Sequence, residues 1–81
     1  MVSVQEIVGL IEGVATDTTV PKNIRRALEE AKSKLVSSDE LTVKLSSAIY
    51  SIESVSEDVN MPPHARMQIW NILSALESIK K

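Results

Sequence analysis

The feature that most constrains this chain is that its second half repeats its first. At an offset of 41 residues, Ile11-Glu12 matches Ile52-Glu53, Val14 matches Val55 and Asp17 matches Asp58. Further on, Pro21 matches Pro62, Arg25 matches Arg66, Leu28 matches Ile69 and Leu35 matches Leu76. Each unit reads as a helix, a turn holding an aspartate, a helix started by proline, and an arginine on that second helix. The two units, about 1–40 and 41–81, fill one domain. No segment alternates with period two for long enough to make a strand. One tryptophan, one tyrosine and two glycines are also too few for a β-sandwich or barrel.

Apolar spacing places four helices. Ser3-Val4-Gln5-Glu6 has capping-box form, and Val4, Ile7, Val8, Ile11, Val14 and Ala15 then share one face. Gly9 and Gly13 lie opposite and weaken this helix by roughly 1 kcal/mol each relative to alanine. Pro21 opens the second helix, where its missing N–H costs nothing. The stripe there is Val20, Ile24, Ala27, Leu28, Ala31 and Leu35, backed by i,i+4 charge pairs such as Arg25 with Glu29 and Arg26 with Glu30. Ser37 and Glu40 have capping-box spacing before a third stripe of Leu41, Leu45, Ala48, Ile49, Ile52 and Val55. Asn60-Met61-Pro62-Pro63 breaks the chain ahead of a fourth stripe, Ala65, Ile69, Ile72, Leu73, Leu76 and Ile79.

A period near 40 with two helices resembles the HEAT-type helical hairpin, and so does the spacing from turn aspartate to second-helix arginine. One hairpin cannot bury its own apolar face, and two stacked in parallel register share a core. The expected fold is therefore all-α, with four helices arranged as two HEAT-like hairpins. Two units leave a thin core in a chain with no cysteine to staple it, so self-association is expected. A closer likeness runs through Asp17-Thr18-Thr19-Val20-Pro21-Lys22-Asn23-Ile24-Arg25-Arg26-Ala27. It continues in Asn60-Met61-Pro62-Pro63-His64-Ala65-Arg66 with Ile69-Trp70 after it. These two stretches resemble the signatures of a small, uncharacterised archaeal protein family. The resemblance implies an all-helical cytoplasmic protein and no assigned activity.

Chemistry has little to stand on. Formal net charge is −2, so the basic excess typical of a nucleic-acid binder is missing. No apolar run is long enough to span a membrane, and no signal peptide is evident. The absence of cysteine removes thiolate metal sites and cysteine nucleophiles. His64 is the only histidine and sits in the first turn of a helix without a second ligand, so a structural or surface role is expected. There is no nucleophile elbow, no glycine-rich phosphate loop and no calcium loop. No enzyme activity, cofactor or metal is expected. Asp17 with Arg25, and Asp58 with Arg66, read as two copies of a structural device. In it the aspartate caps the next helix and the arginine bridges to a neighbouring turn.

Trp70 is out of pattern. It lies off the fourth stripe, on the side of Arg66 and Glu77, and its counterpart in the first repeat is Glu29. Val43 and Tyr50 lie on the back of the third helix. Two readings of the indole stand: it covers the edge of the core, or it is a contact residue of the kind enriched at interface hot spots. The leading expectation is a small protein-interaction or assembly module, itself a homodimer or higher oligomer, using Trp70, Arg66, Met67, Tyr50 and Val43. The alternative is an accessory subunit of a ribonucleoprotein or nucleic-acid complex, with Lys22, Arg25 and Arg26 on phosphate. The i,i+4 glutamates partly neutralise that surface.

Overall fold

A computed structural model describes residues 3–80. The helices are α1 (Val4–Ala15), α2 (Lys22–Leu35), α3 (Leu41–Glu53) and α4 (Pro63–Lys80). The Ser3 hydroxyl accepts the Glu6 N–H at 3.2 Å, so the first cap forms as its sequence pattern predicts. The cap expected at Ser37 does not. Glu40 stands at the N-terminus of α3 without a side-chain bond. The Ser37 hydroxyl turns back to donate to the Lys34 carbonyl at 2.8 Å, closing the end of α2. The connection follows the orphan carbonyls of α2 before it meets the orphan amides of α3, and here a carbonyl takes the serine.

The connections are short, so sequence neighbours run antiparallel. Each helix packs on two others: α1 on α2 and α4, and α3 on α2 and α4. The backbones of the diagonal pairs, α1 with α3 and α2 with α4, do not approach one another closely. A solenoid stack in parallel register would do the reverse, laying α1 on α3 and α2 on α4. The HEAT-like stack expected from the period is thus replaced by a closed ring of four helices. The physical reason is the number of units. Two stacked hairpins would leave one apolar side open at each end, whereas a ring turns all four stripes onto one interior. The radius of gyration, 11.5 Å, matches the value of about 12 Å for a closed chain of this length.

The interior is apolar throughout. Ile7, Ile11, Val14, Ile24, Leu28, Ala31, Ala48, Ile52, Ala65, Ile69, Ile72 and Leu76 are fully inaccessible, and no polar or charged residue among those described is buried. Val20 and Met61, the residues before Pro21 and Pro62, close the core at one end. Leu41 departs from its expected stripe and is exposed, because it is the first residue of α3 and lies beyond the reach of the other helices. Val55 lies past the end of α3 and packs on the core from the following turn. Among the described helices, none is long and apolar enough to cross a membrane.

Candidate functional site

The ring brings the two aspartate turns together at one end, and their contacts are reciprocal. Asp17 follows α1, and its Oδ1 accepts the Thr19 N–H at 2.9 Å and the Thr19 hydroxyl at 2.6 Å. Its Oδ2 faces Nε2 of His64, on α4, at 2.9 Å. Asp58 follows α3, and its Oδ1 accepts the Asn60 N–H at 2.8 Å. Its Oδ2 accepts from Nδ2 of Asn23, on α2, at 2.9 Å. Asn23 and His64 are counterparts at the same 41-residue offset. Each therefore reaches from the start of its own half's second helix to the aspartate of the other half. The offset alone held the signal for this pairing. Asn and His differ enough in type that it does not show as a match.

Both aspartates are capped turns rather than helix caps. Pro21 occupies the position before α2, and no side chain bonds to the first turn there. The arginines hold the same turns from behind. Arg25 donates from Nε to the Val20 carbonyl at 2.9 Å. Arg66 donates to the carbonyls of Ser56 and Asp58, each at 3.2 Å. The expected bridge to a neighbouring turn is thus a clamp on the arginine's own turn. Arg25 makes no ion pair with Glu29. The ion pairs found among the described residues are His64 with Asp17 and Lys32 with Glu12, the latter at 3.6 Å and joining α2 to α1.

These contacts fix the charge at the turns. The Asp17 carboxyl is lowered to about 2, first by the Thr19 hydroxyl, then by the Thr19 amide and by His64. Asp58 is lowered too, by Asn23 and the Asn60 amide. Thr19, Asp17 and His64 stand close together at this turn. The threonine hydroxyl gives its hydrogen to the carboxylate, and the imidazole Nε2 faces that carboxylate too. His64 Nε2 also lies 3.3 Å from the Thr19 hydroxyl oxygen. No group of three or more metal-ligating side chains occurs among the described residues.

The residues singled out for contact lie elsewhere. Trp70 is 67% exposed and Met67 69% exposed, one turn apart on the outer face of α4. The indole therefore does not tuck over the core. Trp70 forms a wall of two shallow grooves. One runs toward Pro63 and Met67, with Glu57 and Arg66 at its rim. The other runs toward Leu73, with Glu77 at its rim. Tyr50, 77% exposed, and Val43, 50% exposed, lie on the outward face of α3 and line neither groove. The structure thus joins Trp70, Met67 and Arg66 and leaves Tyr50 and Val43 apart. Pro63, Leu73, Glu57 and Glu77 complete a surface of which the sequence reading had named Trp70, Met67 and Arg66.

Comparison with known proteins follows the whole chain rather than either surface. Residues 2–79 match the model of UPF0147, an uncharacterised protein family. This chain belongs to that family. It is 50% identical over 72 residues to a UPF0147 protein of Pyrococcus abyssi, covering 88% of this chain and 84% of that one. It is 41% identical over 75 residues to one of Archaeoglobus fulgidus, covering 93% and 86%. The crystal structure of MMP1188, a protein of unknown function, superposes with a TM-score of 0.90 at 46% identity, over 96% of this chain and 90% of that chain. UPF0147 membership agrees with the archaeal, all-helical family expected from the two signature stretches. The family brings no assigned activity with it.

Proposed function

We propose that this protein is a non-enzymatic docking module of the cytoplasm, and that the outer face of α4 is its contact surface. The observation that carries the reading is the exposure of Met67 and Trp70 on a helix whose core stripe is already complete. Folding gains nothing from an indole in water, whereas an interface gains from a rigid aromatic anchor set in a polar rim. Every buried residue described is apolar, so nothing in the interior competes as a site of chemistry. The chain is read as a duplicated helical hairpin, supported by the reciprocal contacts of Asn23 and His64. The first copy serves the fold alone, and the second serves the fold and carries the surface.

The test is affinity capture from native lysate of the source organism, with and without nuclease, using wild type and Trp70→Ala as baits. A near-stoichiometric protein, or added copies of the bait itself, should survive nuclease and be lost with Trp70→Ala. Truncating an exposed side chain changes stability by less than about 0.5 kcal/mol, so loss of capture cannot be assigned to unfolding. Recovery that depends on nucleic acid, and is indifferent to Trp70, would overturn the reading in favour of a nucleic-acid accessory role.

A further inference from the structure

The two halves meet through matched contacts. At the 41-residue offset α1 corresponds to α3 and α2 to α4, so the packing of α1 on α4 corresponds to that of α3 on α2. The bonds from Asn23 to Asp58 and from His64 to Asp17 correspond in the same way. Matched contacts of this kind can also be made between two copies of one chain. The connection between the halves is unlike the other two. Pro21 and Pro62-Pro63 interrupt the chain within each half, whereas Val36-Ser37-Ser38-Asp39-Glu40 holds neither proline nor glycine. The stripes on either side of it are also in step. Ile24, Leu28, Ala31 and Leu35 on α2 and Leu45, Ile49 and Ile52 on α3 are all buried. They follow one alternation of four and three residues that runs unbroken across the connection, with Ser38 and Thr42 at the two intervening places. That is the spacing of a single helix with a single apolar seam. Val36 and Leu41, both exposed in the ring, flank the seam at this point.

From this continuity we infer that the chain exchanges halves with a second copy. Residues 36–40 straighten, α2 and α3 become one helix, and the first half of each copy closes its ring on the second half of the other. Two such helices run antiparallel about a two-fold axis at Ser38. Each α2 then lies along the other copy's α3 in the pairing it has within the ring, with Leu35 toward the start of α3 and Ile24 toward its end. The contacts between halves are kept, and the connection is what changes. Val36 and Leu41 pass from water into the crossing of the two helices, which favours it. Exchange between two identical chains closes at two copies. Concentration sets the balance. A short connection holds its two halves at an effective concentration of about millimolar, so a second copy competes only near that level. The inference goes beyond the docking reading and uses no residue of the outer face of α4.

The test is refolding of the full chain from urea at micromolar and at millimolar concentration, followed at once by size-exclusion chromatography with light scattering. Wild type should be monomeric from the dilute sample and partly dimeric from the concentrated one. Ser38→Leu with Thr42→Leu completes the seam at two places that are exposed in the ring, and leucine is covered there only after exchange. This variant should dimerise at a concentration lower by at least about tenfold. Glu40→Pro should block exchange in both backgrounds, because proline breaks a continuous helix. It suits the ring, since Glu40 stands before α3 at φ −58° and ψ 145°, close to the φ −53° and ψ 148° of Pro21 before α2. Circular dichroism of Glu40→Pro should show the wild-type melting profile. Wild type that is wholly monomeric after refolding at millimolar concentration would overturn the inference, as would a dimer that persists with Glu40→Pro. A dimer lost with Trp70→Ala would also overturn it and belong instead to the face of α4. Exchange without any capture through Trp70 would leave this inference standing and remove the docking reading.

Discussion

Ile11, Val20, Ile24, Leu28 and Leu35 in the first half have counterparts 41 residues on at Ile52, Met61, Ala65, Ile69 and Leu76, and all are buried. On the outside the same comparison gives Arg26 against Met67, Glu29 against Trp70, and Gly9 against Tyr50. The contrast separates two kinds of constraint. Inward positions of both halves face one shared interior, so the same physical demand falls on each. Outward positions answer to water unless something else covers them. At these three positions the first half has two charges and a glycine where the second has apolar and aromatic side chains, although the first half also exposes Leu10 and Val36. At the matched positions the first half therefore serves as an internal comparison for the second.

The largest effects should come from breaking the inner match. Leu28→Ala and Ile69→Ala empty equivalent, fully buried positions and should each destabilise by about 2–5 kcal/mol. A chain of this length has a total stability of about 4–12 kcal/mol, so either variant can approach unfolding at room temperature. Urea denaturation measures both. Losses that agree to within a factor of two would show that the halves contribute alike to the core. A large disparity would break the comparison and make one hairpin the dominant folding unit.

The arginine clamps come next, and here the halves differ by degree. Arg66 closes its turn through two carbonyls and Arg25 through one. Hydrogen bonds from a charged donor contribute about 1.5–3 kcal/mol when their partners are shielded, and less where water competes. Arg66→Ala should fall in that range, and Arg25→Ala below it, as read from thermal melts. An unchanged melting temperature for Arg66→Ala would remove the structural reading of both arginines.

Much of the ring was legible in the sequence, and the reasons differ by residue. The buried stripes follow from helical periodicity, because burial selects apolar side chains at fixed spacing. How the hairpins meet was not legible. The same four stripes suit a stack or a ring, and only the count of units decides between them. Of the turn residues, Asp17 and Asp58 stood out by repetition, but their partners Asn23 and His64 are unlike in type. Side chains that do the same job with different chemistry leave no match to find. The contact surface was legible in part, since an indole off its stripe is a visible anomaly. Which neighbours join it depends on how α4 sits against the turn after α3, and spacing along one helix does not contain that.

The smallest effects, and the sharpest, lie at the two turns. Both aspartates are held ionised, and the sign of the linkage is the same for each. A carboxyl lowered by folding adds stability above its unfolded value, about 3.9, and loses that contribution as pH falls toward its folded value. For Asp17 the folded value is about 2. Asp17→Asn should therefore flatten the fall in stability between roughly pH 4 and pH 2 and leave the shape of the profile above that window unchanged. Within that window the causes can be ranked. The Thr19 hydroxyl holds the carboxylate more strongly than His64 does. Thr19→Val should then narrow the acid-sensitive window more than His64→Ala. An exposed pair of this kind contributes little, so removing His64 should scarcely move the neutral-pH melting temperature. Acid titration of stability for the three variants decides the ranking. If His64→Ala narrows the window most, the contact between the halves, rather than the turn's own threonine, sets the charge of Asp17. The two aspartates would then be alike, since the largest influence on Asp58 comes from Asn23 of the other half.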